Sequence, residues 1–225
     1  MPAMIPHPWA MLARRHPSAF LLAAQLLSLL LYPAIDNTQE GRLLFGAIAL
    51  VVIPLAVWVV NRSPSSTGIA WLLAVPAIAL TVAGVALGLP RLLPWSASLE
   101  ALLYFYAAGS LIHYMLRDQH VSADDLFAAG ATFTLLAWGF AYAYFVCQAR
   151  MPDSFTGLEP GRTRTWVELL FLSFTNLSAT GAGDIIPVRA PARVLVMLEQ
   201  FAGVGYIATV VSRLIGLTII RHDRR

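Results

Sequence analysis

The chain has 225 residues, of which 58% are hydrophobic and 12% are charged, and its mean hydropathy is +0.70. Soluble domains rarely have such a composition, so the sequence indicates a membrane protein. The formal net charge is +3. Because the charges lie between apolar runs rather than in a basic block, the sequence does not indicate nucleic-acid binding. Six spans of ~20 residues would leave about a hundred residues for loops and tails, so no separate domain for a soluble substrate is expected.

Six apolar runs follow one another along the chain, and at ~20 residues per span they predict six transmembrane helices. The runs cover residues 17–35, 43–60, 68–89, 96–116, 124–148 and 192–220. In the third run, we interpret Pro76, Gly84 and Gly88 as kinks rather than helix ends, because neighbouring membrane helices can satisfy the freed backbone groups. In the fourth run, Glu100 lies near the predicted helix start, and we expect it to be solvated at the membrane interface.

The start of the fifth helix has a local signal of its own. Ser122 and Asp125 have the spacing of a capping box, in which the serine oxygen and a carboxylate satisfy free amides of the first helical turn. This spacing predicts that the fifth helix begins at about Asp124 and continues to Gln148.

The segment between the fifth and sixth runs differs from the others. Residues Trp166 to Leu177 are apolar but too few to cross a bilayer, and a glycine-rich stretch follows them. Irregular backbone at membrane depth is tolerated only where protein or a water-filled cavity surrounds it. We therefore predict a re-entrant helix and loop at this place.

From Ser173 the chain reads SFTNLSATGAGDIIPV, which resembles the pore loop of the tetrameric potassium-channel superfamily. In that family a short pore helix precedes the pattern TTVGYGD, two apolar residues, a proline and an inner helix. The resemblance covers roughly residues 122–218. Over this range the chain is similar to bacterial six-helix members of the family. Without a gap, it assigns the selectivity filter to five consecutive residues, Ala179, Thr180, Gly181, Ala182 and Gly183.

The resemblance implies a fold and an activity. The fold is an all-α membrane protein with six transmembrane helices and a re-entrant pore helix and filter loop between helices 5 and 6. The activity is that of a homotetrameric, passive, potassium-permeable cation channel and not of an enzyme, because filter carbonyls replace the hydration shell of an ion. Positive φ angles at Gly181 and Gly183 would aim these carbonyls. Membrane lipid is the other partner, and K⁺ and Na⁺ are permeant ions rather than cofactors or a bound metal.

Further roles follow from the same resemblance. Asp184 takes the outer-mouth position, and Gly203 and Gly205 take the inner-helix hinge or gate. Glu199 lies on the inner helix four residues before Gly203, and two roles are open for it. It attracts cations or senses protons as a modulatory residue, or it pairs with a neighbouring helix.

Two filter positions depart from the family pattern. Ala179 lacks the threonine hydroxyl, and Ala182 lacks the tyrosine ring, whose loss typically costs about 3–5 kcal/mol unless neighbours refill the space. Phe171 and Leu172 stand where many relatives carry bracing tryptophans. We therefore expect weaker discrimination between potassium and sodium. The alternative is a channel-fold protein that does not conduct, such as a regulatory subunit, whereas no nucleophile and base spacing indicates an intramembrane enzyme.

The chain is expected to divide into four parts. Residues 1–16 form a cytoplasmic segment, residues 17–121 a four-helix transmembrane domain, residues 122–220 the pore domain and residues 221–225 a cytoplasmic tail. The fourth run lacks the spaced arginines that voltage sensing requires. Loop arginines place both termini in the cytoplasm and the filter on the outer face of a multi-pass protein of the cell inner (plasma) membrane.

Overall fold

A computed structural model describes residues 17–31, 52–60, 67–117 and 122–216. Helices α1 to α4 cover Pro17–Leu31, residues 52–60, Thr67–Ala86 and Leu93–Arg117, and a 3₁₀ turn, Pro90–Leu92, precedes α4. The second half contains α5 (Ala123–Arg150), strand β1 (Phe155–Thr156), α6 (Trp166–Leu177), strand β2 (Ile186–Pro187) and α7 (Ala190–Tyr206), and α7 is followed by a π-helical turn (Ile207–Val211) and helix to residue 216.

Four helical stretches among the described residues are long and apolar enough to cross a membrane, and they are Thr67–Ala86, Pro90–Arg117, Ala123–Arg150 and Ala190–Gly216. These four helices agree with the prediction of a membrane protein. Helix α1 is apolar but has only 15 residues, and the first two predicted spans lie partly outside the described residues. The six-span topology therefore stays a prediction, as do the positions of the two termini, which lie outside the described residues.

The capping box predicted for the fifth helix is present at the start of α5. The Ser122 amide donates to Asp125 Oδ2 at 2.7 Å, and the Asp125 amide donates to Ser122 Oγ at 3.2 Å. Each side chain thus satisfies a backbone amide of the other residue. The predicted helix start at Asp124 is confirmed to within one residue.

The end of α3 corrects one sequence interpretation. Helix α3 does continue through Pro76 and Gly84, but it ends at Ala86. Gly88 follows with φ +62°, and the Leu89 amide donates to the Gly84 carbonyl at 2.9 Å. This is a Schellman ending, in which glycine takes the left-handed position just past the helix. Reading Gly88 as a kink was therefore wrong.

Helix α5 lies at the centre of the described structure and packs against α1, α4, α6 and α7. Polar contacts attach α1 to it, since the Ser18 hydroxyl donates to Asp124 at 3.0 Å and the Thr134 hydroxyl donates to Gln25 at 2.6 Å. Helices α6 and α7 also contact each other directly, so α5, α6 and α7 form one packed unit.

Glu100 is buried, contrary to the expectation of interfacial solvation. Its side chain is 3% exposed, and its Oε1 accepts a hydrogen bond from the Thr81 hydroxyl of α3 at 2.9 Å. The physical reason is the helix start: α4 begins at Leu93, so Glu100 lies about two turns inside it. The carboxyl group therefore joins α3 to α4.

Candidate pore-loop site

The start of α6 is fixed by a capping box that the sequence analysis missed. The Thr165 amide donates to Glu168 Oε2 at 2.6 Å, and the Glu168 amide donates to Thr165 Oγ1 at 3.3 Å. The Thr-x-x-Glu spacing could have shown it, as Ser122 and Asp125 did for α5. Both bounds predicted for the short helix, Trp166 and Leu177, are confirmed.

The loop before α6 is held by a buried arginine and a glutamine. The Arg164 side chain is 3% exposed, and its guanidinium donates to the carbonyls of Glu159 and Arg162. The Gln148 side chain of α5 bonds the backbone of Arg164 twice, at 2.8 Å to the carbonyl and at 3.0 Å from the amide. These bonds set where α6 begins relative to α5.

Charge around Glu168 favours its ionised form. Partial burial raises the pKa of this carboxyl, but hydrogen bonds from Thr165 and the positive charges of Arg162 and Arg164 lower it by more, so the net pKa lies below the ordinary value. Arg162 forms the closer ion pair with it, at 2.5 Å, and Arg164 lies at 3.7 Å. The carboxylate also suits the first turn of a helix.

The other end of α6 is a second Schellman ending, and alanine occupies the position that usually requires glycine. The Thr180 amide donates to the Thr175 carbonyl at 3.0 Å, and the Ala179 amide donates to the Asn176 carbonyl at 3.0 Å. Ala179 has φ +59°, a left-handed conformation that disfavours residues with a β-carbon. The Gly181 amide also donates to the Thr175 carbonyl, at 3.0 Å.

The loop that follows is exposed, and its carbonyl groups lack donors within the described part of the chain. Residues 179–184 are all exposed in the single chain. Among the described residues, no amide or hydroxyl group donates a hydrogen bond to the carbonyl oxygens of residues 179–183. Gly181 has the expected positive φ, +63°, whereas Gly183 does not, and Ala179 has one instead.

The outer end of the loop rests on α6 and on the segment before it. A β-carbon at Gly183 would lie 3.6 Å from Thr175 Oγ1 and 4.0 Å from Phe171 Cε1, so the Phe171 ring lies beside this part of the loop. Strands β1 and β2 pair antiparallel, with Phe155 opposite Pro187. Asp184 is exposed next to this pairing.

Gly203 on α7 touches the end of α6 directly. A β-carbon at Gly203 would lie 2.8 Å from the carbonyl carbon and 3.0 Å from Cα of Leu177, closer than real contacts allow. A β-carbon at Gly205 would meet nothing within 4 Å of the described chain. Gly203 therefore permits close helix packing, and the hinge role of both glycines stays a prediction.

The comparison with known families supports one interpretation of this arrangement. Residues 130–219 match a family model described as an ion channel. This segment starts in α5 and contains α6, the loop and α7. The match supports an ion-channel domain here and a member of the pore-loop potassium-channel superfamily. No curated protein and no solved structure matches the chain.

The ion-channel domain also contains a buried polar cluster that joins its three helices. Glu199 of α7 is 0% exposed, and its carboxyl contacts the hydroxyls of Tyr144 of α5 and Ser173 of α6. Sequence reasoning singled out Glu199 but missed both partners. No motif spacing relates them, because they meet only when α5, α6 and α7 pack together.

Proposed function

We propose that the chain forms a passive cation channel that is permeable to potassium, with four copies contributing their loops to one filter. The supporting observation is that residues 179–183 are exposed and that their carbonyl oxygens accept no hydrogen bond within the described chain. Oxygen dipoles of this kind can replace water around a permeating ion. One loop supplies one quarter of each oxygen ring, so a homotetramer is part of the proposal.

The surroundings of the loop suit this role. The exposed Asp184 adds negative charge at the outer mouth, where it would raise the local concentration of cations. Helix α7 exposes large apolar side chains, of which Phe201 is 80% exposed. In the proposed assembly, neighbouring copies and membrane lipid cover this surface. The channel lies in the cell inner membrane with both termini in the cytoplasm and needs no cofactor besides the permeant ions.

Reduced selectivity is the second part of the proposal. Ala182 places only a methyl group where relatives have a tyrosine ring, and it is exposed. Phe171 reaches the loop at Gly183, yet it is itself 50% exposed. The filter thus has less side-chain packing behind it, and we expect measurable sodium permeation beside potassium permeation.

A flux experiment with two glycine variants tests the proposal. Purified protein in liposomes is compared for potassium, sodium and a large impermeant cation, with Gly181→Ala as the test and Gly161→Ala as the control. Both glycines have positive φ, +63° and +78°, and a β-carbon at either would meet nothing within 4 Å. The two changes therefore impose similar backbone strain. We expect Gly181→Ala to reduce flux by about tenfold or more and Gly161→Ala to leave it nearly unchanged.

Absence of ion flux through intact wild-type tetramers would instead favour the non-conducting alternative. Restoring the family's tyrosine with Ala182→Tyr is then the informative change. Ala179→Thr is unsuitable, because a β-branched residue at φ +59° would strain the end of α6 whatever its hydroxyl contributes.

A further inference from the structure

The Glu199 carboxyl lies where three helices meet. Its Oε2 accepts a hydrogen bond from the Tyr144 hydroxyl of α5, and its Oε1 contacts the Ser173 hydroxyl of α6. All three residues are 0% exposed. The carboxyl group therefore exchanges hydrogen bonds with the protein and not with solvent.

The hydrogen-bond inventory of Ser173 is consistent with a proton on this carboxyl. Ser173 Oγ is 2.7 Å from the carbonyl oxygen of Ala137 and also contacts Glu199 Oε1. A serine hydroxyl has one proton to donate, and a backbone carbonyl can only accept. If Ser173 donates to Ala137, its contact with Glu199 requires a proton from the carboxyl group. The bonds then run in one chain from Glu199 to Ser173 to Ala137, whereas the buried Asn176 side-chain nitrogen has no hydrogen-bond partner among the described residues.

The neighbours of Glu199 offer no counter-charge. The groups that face it are Tyr144 from α5 and Ser173 and Asn176 from α6. Among the described residues, no arginine or histidine forms an ion pair with it. A buried carboxylate without a partner charge is costly, which supports the neutral form of this carboxyl.

The same cluster leads directly to the loop. Next to Glu199, Gln200 Nε2 donates to the Asn176 side-chain oxygen at 3.2 Å. The Asn176 carbonyl in turn accepts the Ala179 amide at 3.0 Å. Two consecutive α7 residues thus hold the last turns of α6, from which the exposed carbonyls begin.

We propose that Glu199 is a positioning residue that carries a proton and, through Ser173, fixes α6 and its carbonyl loop against α5 and α7. The proposal rests on the channel function proposed above, because it assigns the residue an effect on ion selectivity. It differs from a direct role in attracting ions, since the carboxyl is buried between α5, α6 and α7.

Paired variants of Glu199 test the positioning role. Glu199→Gln keeps the shape, an oxygen for Tyr144 and an amide donor for Ser173, whereas Glu199→Leu removes both hydrogen bonds at similar size. We expect Glu199→Gln to keep the wild-type potassium-to-sodium flux ratio and Glu199→Leu to change it by about tenfold. Equal behaviour of the two variants would overturn the proposal. If Glu199→Leu does not fold, Ser173→Ala and Tyr144→Phe each remove one partner.

Two further measurements do not depend on conduction. Infrared difference spectra should show a protonated-carboxyl band in wild type that Glu199→Gln lacks and that Glu159→Gln, a change at a 72% exposed side chain, retains. Amide hydrogen exchange at Ala179, Thr180 and Gly181 should be about tenfold faster in Glu199→Leu and unchanged in Glu199→Gln. A missing band would show that Glu199 carries no proton. Unchanged amide exchange in Glu199→Leu would contradict the positioning role. Both results can be read even if the wild-type protein carries no current.

Discussion

Ala179 and Gly88 occupy equivalent positions at two helix ends of this chain. Each lies in the left-handed region just past a helix, and in each case the next residue's amide closes the Schellman bond. At the end of α3 glycine adopts this conformation freely, but at the end of α6 alanine adopts it at a cost of about 1–2 kcal/mol. The start of the carbonyl loop is therefore strained, and the hydrogen bonds to Thr175 and Asn176 hold it in place.

This strain predicts opposite effects of two substitutions. Ala179→Gly should raise the free energy of unfolding by about 1 kcal/mol, and Ala179→Val should lower it by at least as much. Thermal unfolding of the purified protein in detergent measures both. The same changes at Ala182, where φ is not positive, should show no gain for glycine. A loss of stability in Ala179→Gly would contradict the left-handed cap.

Gly203 and Gly205 lie two residues apart on α7, about 3 Å along the helix axis. Their surroundings nevertheless differ sharply. Gly203→Ala would push a methyl group into the Leu177 backbone, whereas Gly205 has open space. We expect Gly203→Ala to lower the melting temperature and alter flux, while Gly205→Ala is neutral or slightly stabilising, because alanine favours helix by about 1 kcal/mol. Equal loss of flux in both variants, with stability retained, would favour the hinge role instead.

At the scale of elements, α6 is held at both ends by specific hydrogen bonds. Its start is fixed by Thr165 and Glu168, and its end by the amides that gather on the Thr175 carbonyl. Its length and bounds were predictable, because an apolar stretch too short to span a membrane stood between two long ones. The reversed conformations of Ala179 and Gly183 were not, since their φ angles depend on how the loop returns to the helix end.

The lowered pKa of Glu168 predicts a loss of stability in acid. A carboxyl whose pKa is lower in the folded state stabilises the fold above its unfolded pKa of about 4.3, and this contribution disappears as pH falls through the lowered value. The melting temperature of wild type should therefore fall more steeply below about pH 4.3 than that of Glu168→Gln. Parallel curves for the two proteins would contradict the assigned pairing with Thr165, Arg162 and Arg164.

For the molecule as a whole, a ring of four aromatic side chains connects α4 to α6. Tyr104 lies 5.8 Å from Trp138 and 5.7 Å from Tyr142, measured between ring centroids. Trp166 at the start of α6 closes the ring at 5.4 and 5.6 Å from the same two residues. Helix α4, which precedes the ion-channel domain, is thus linked to the start of α6 through the aromatic residues of α5.

Two substitutions of Tyr104 test this connection. Its side chain is 0% exposed, and its hydroxyl has no hydrogen-bond partner among the described residues. Tyr104→Ala should lower the free energy of unfolding by about 3–5 kcal/mol, whereas Tyr104→Phe should be neutral or stabilising, because it removes an unsatisfied buried group. Thermal unfolding distinguishes them. A large loss in Tyr104→Phe would show that the hydroxyl has a partner.

The sequence predicted local features of this architecture better than its buried polar contacts. Helix bounds followed from apolar runs and capping residues, and the family followed from the string around Gly181. The pairing of Glu199 with Tyr144 and Ser173, and the burial of Glu100, depend on how distant helices pack together. Periodicity in one helix does not specify which polar group another helix places opposite it.

The central proposal is that the carbonyls of residues 179–183 from four chains line an ion path. Crystals of the purified protein grown with rubidium in place of potassium test it most directly, since rubidium scatters anomalously. We expect anomalous peaks on a fourfold axis, in contact with these carbonyl oxygens. Loops that lie apart from one another, or rubidium bound elsewhere and absent from that axis, would contradict the claim.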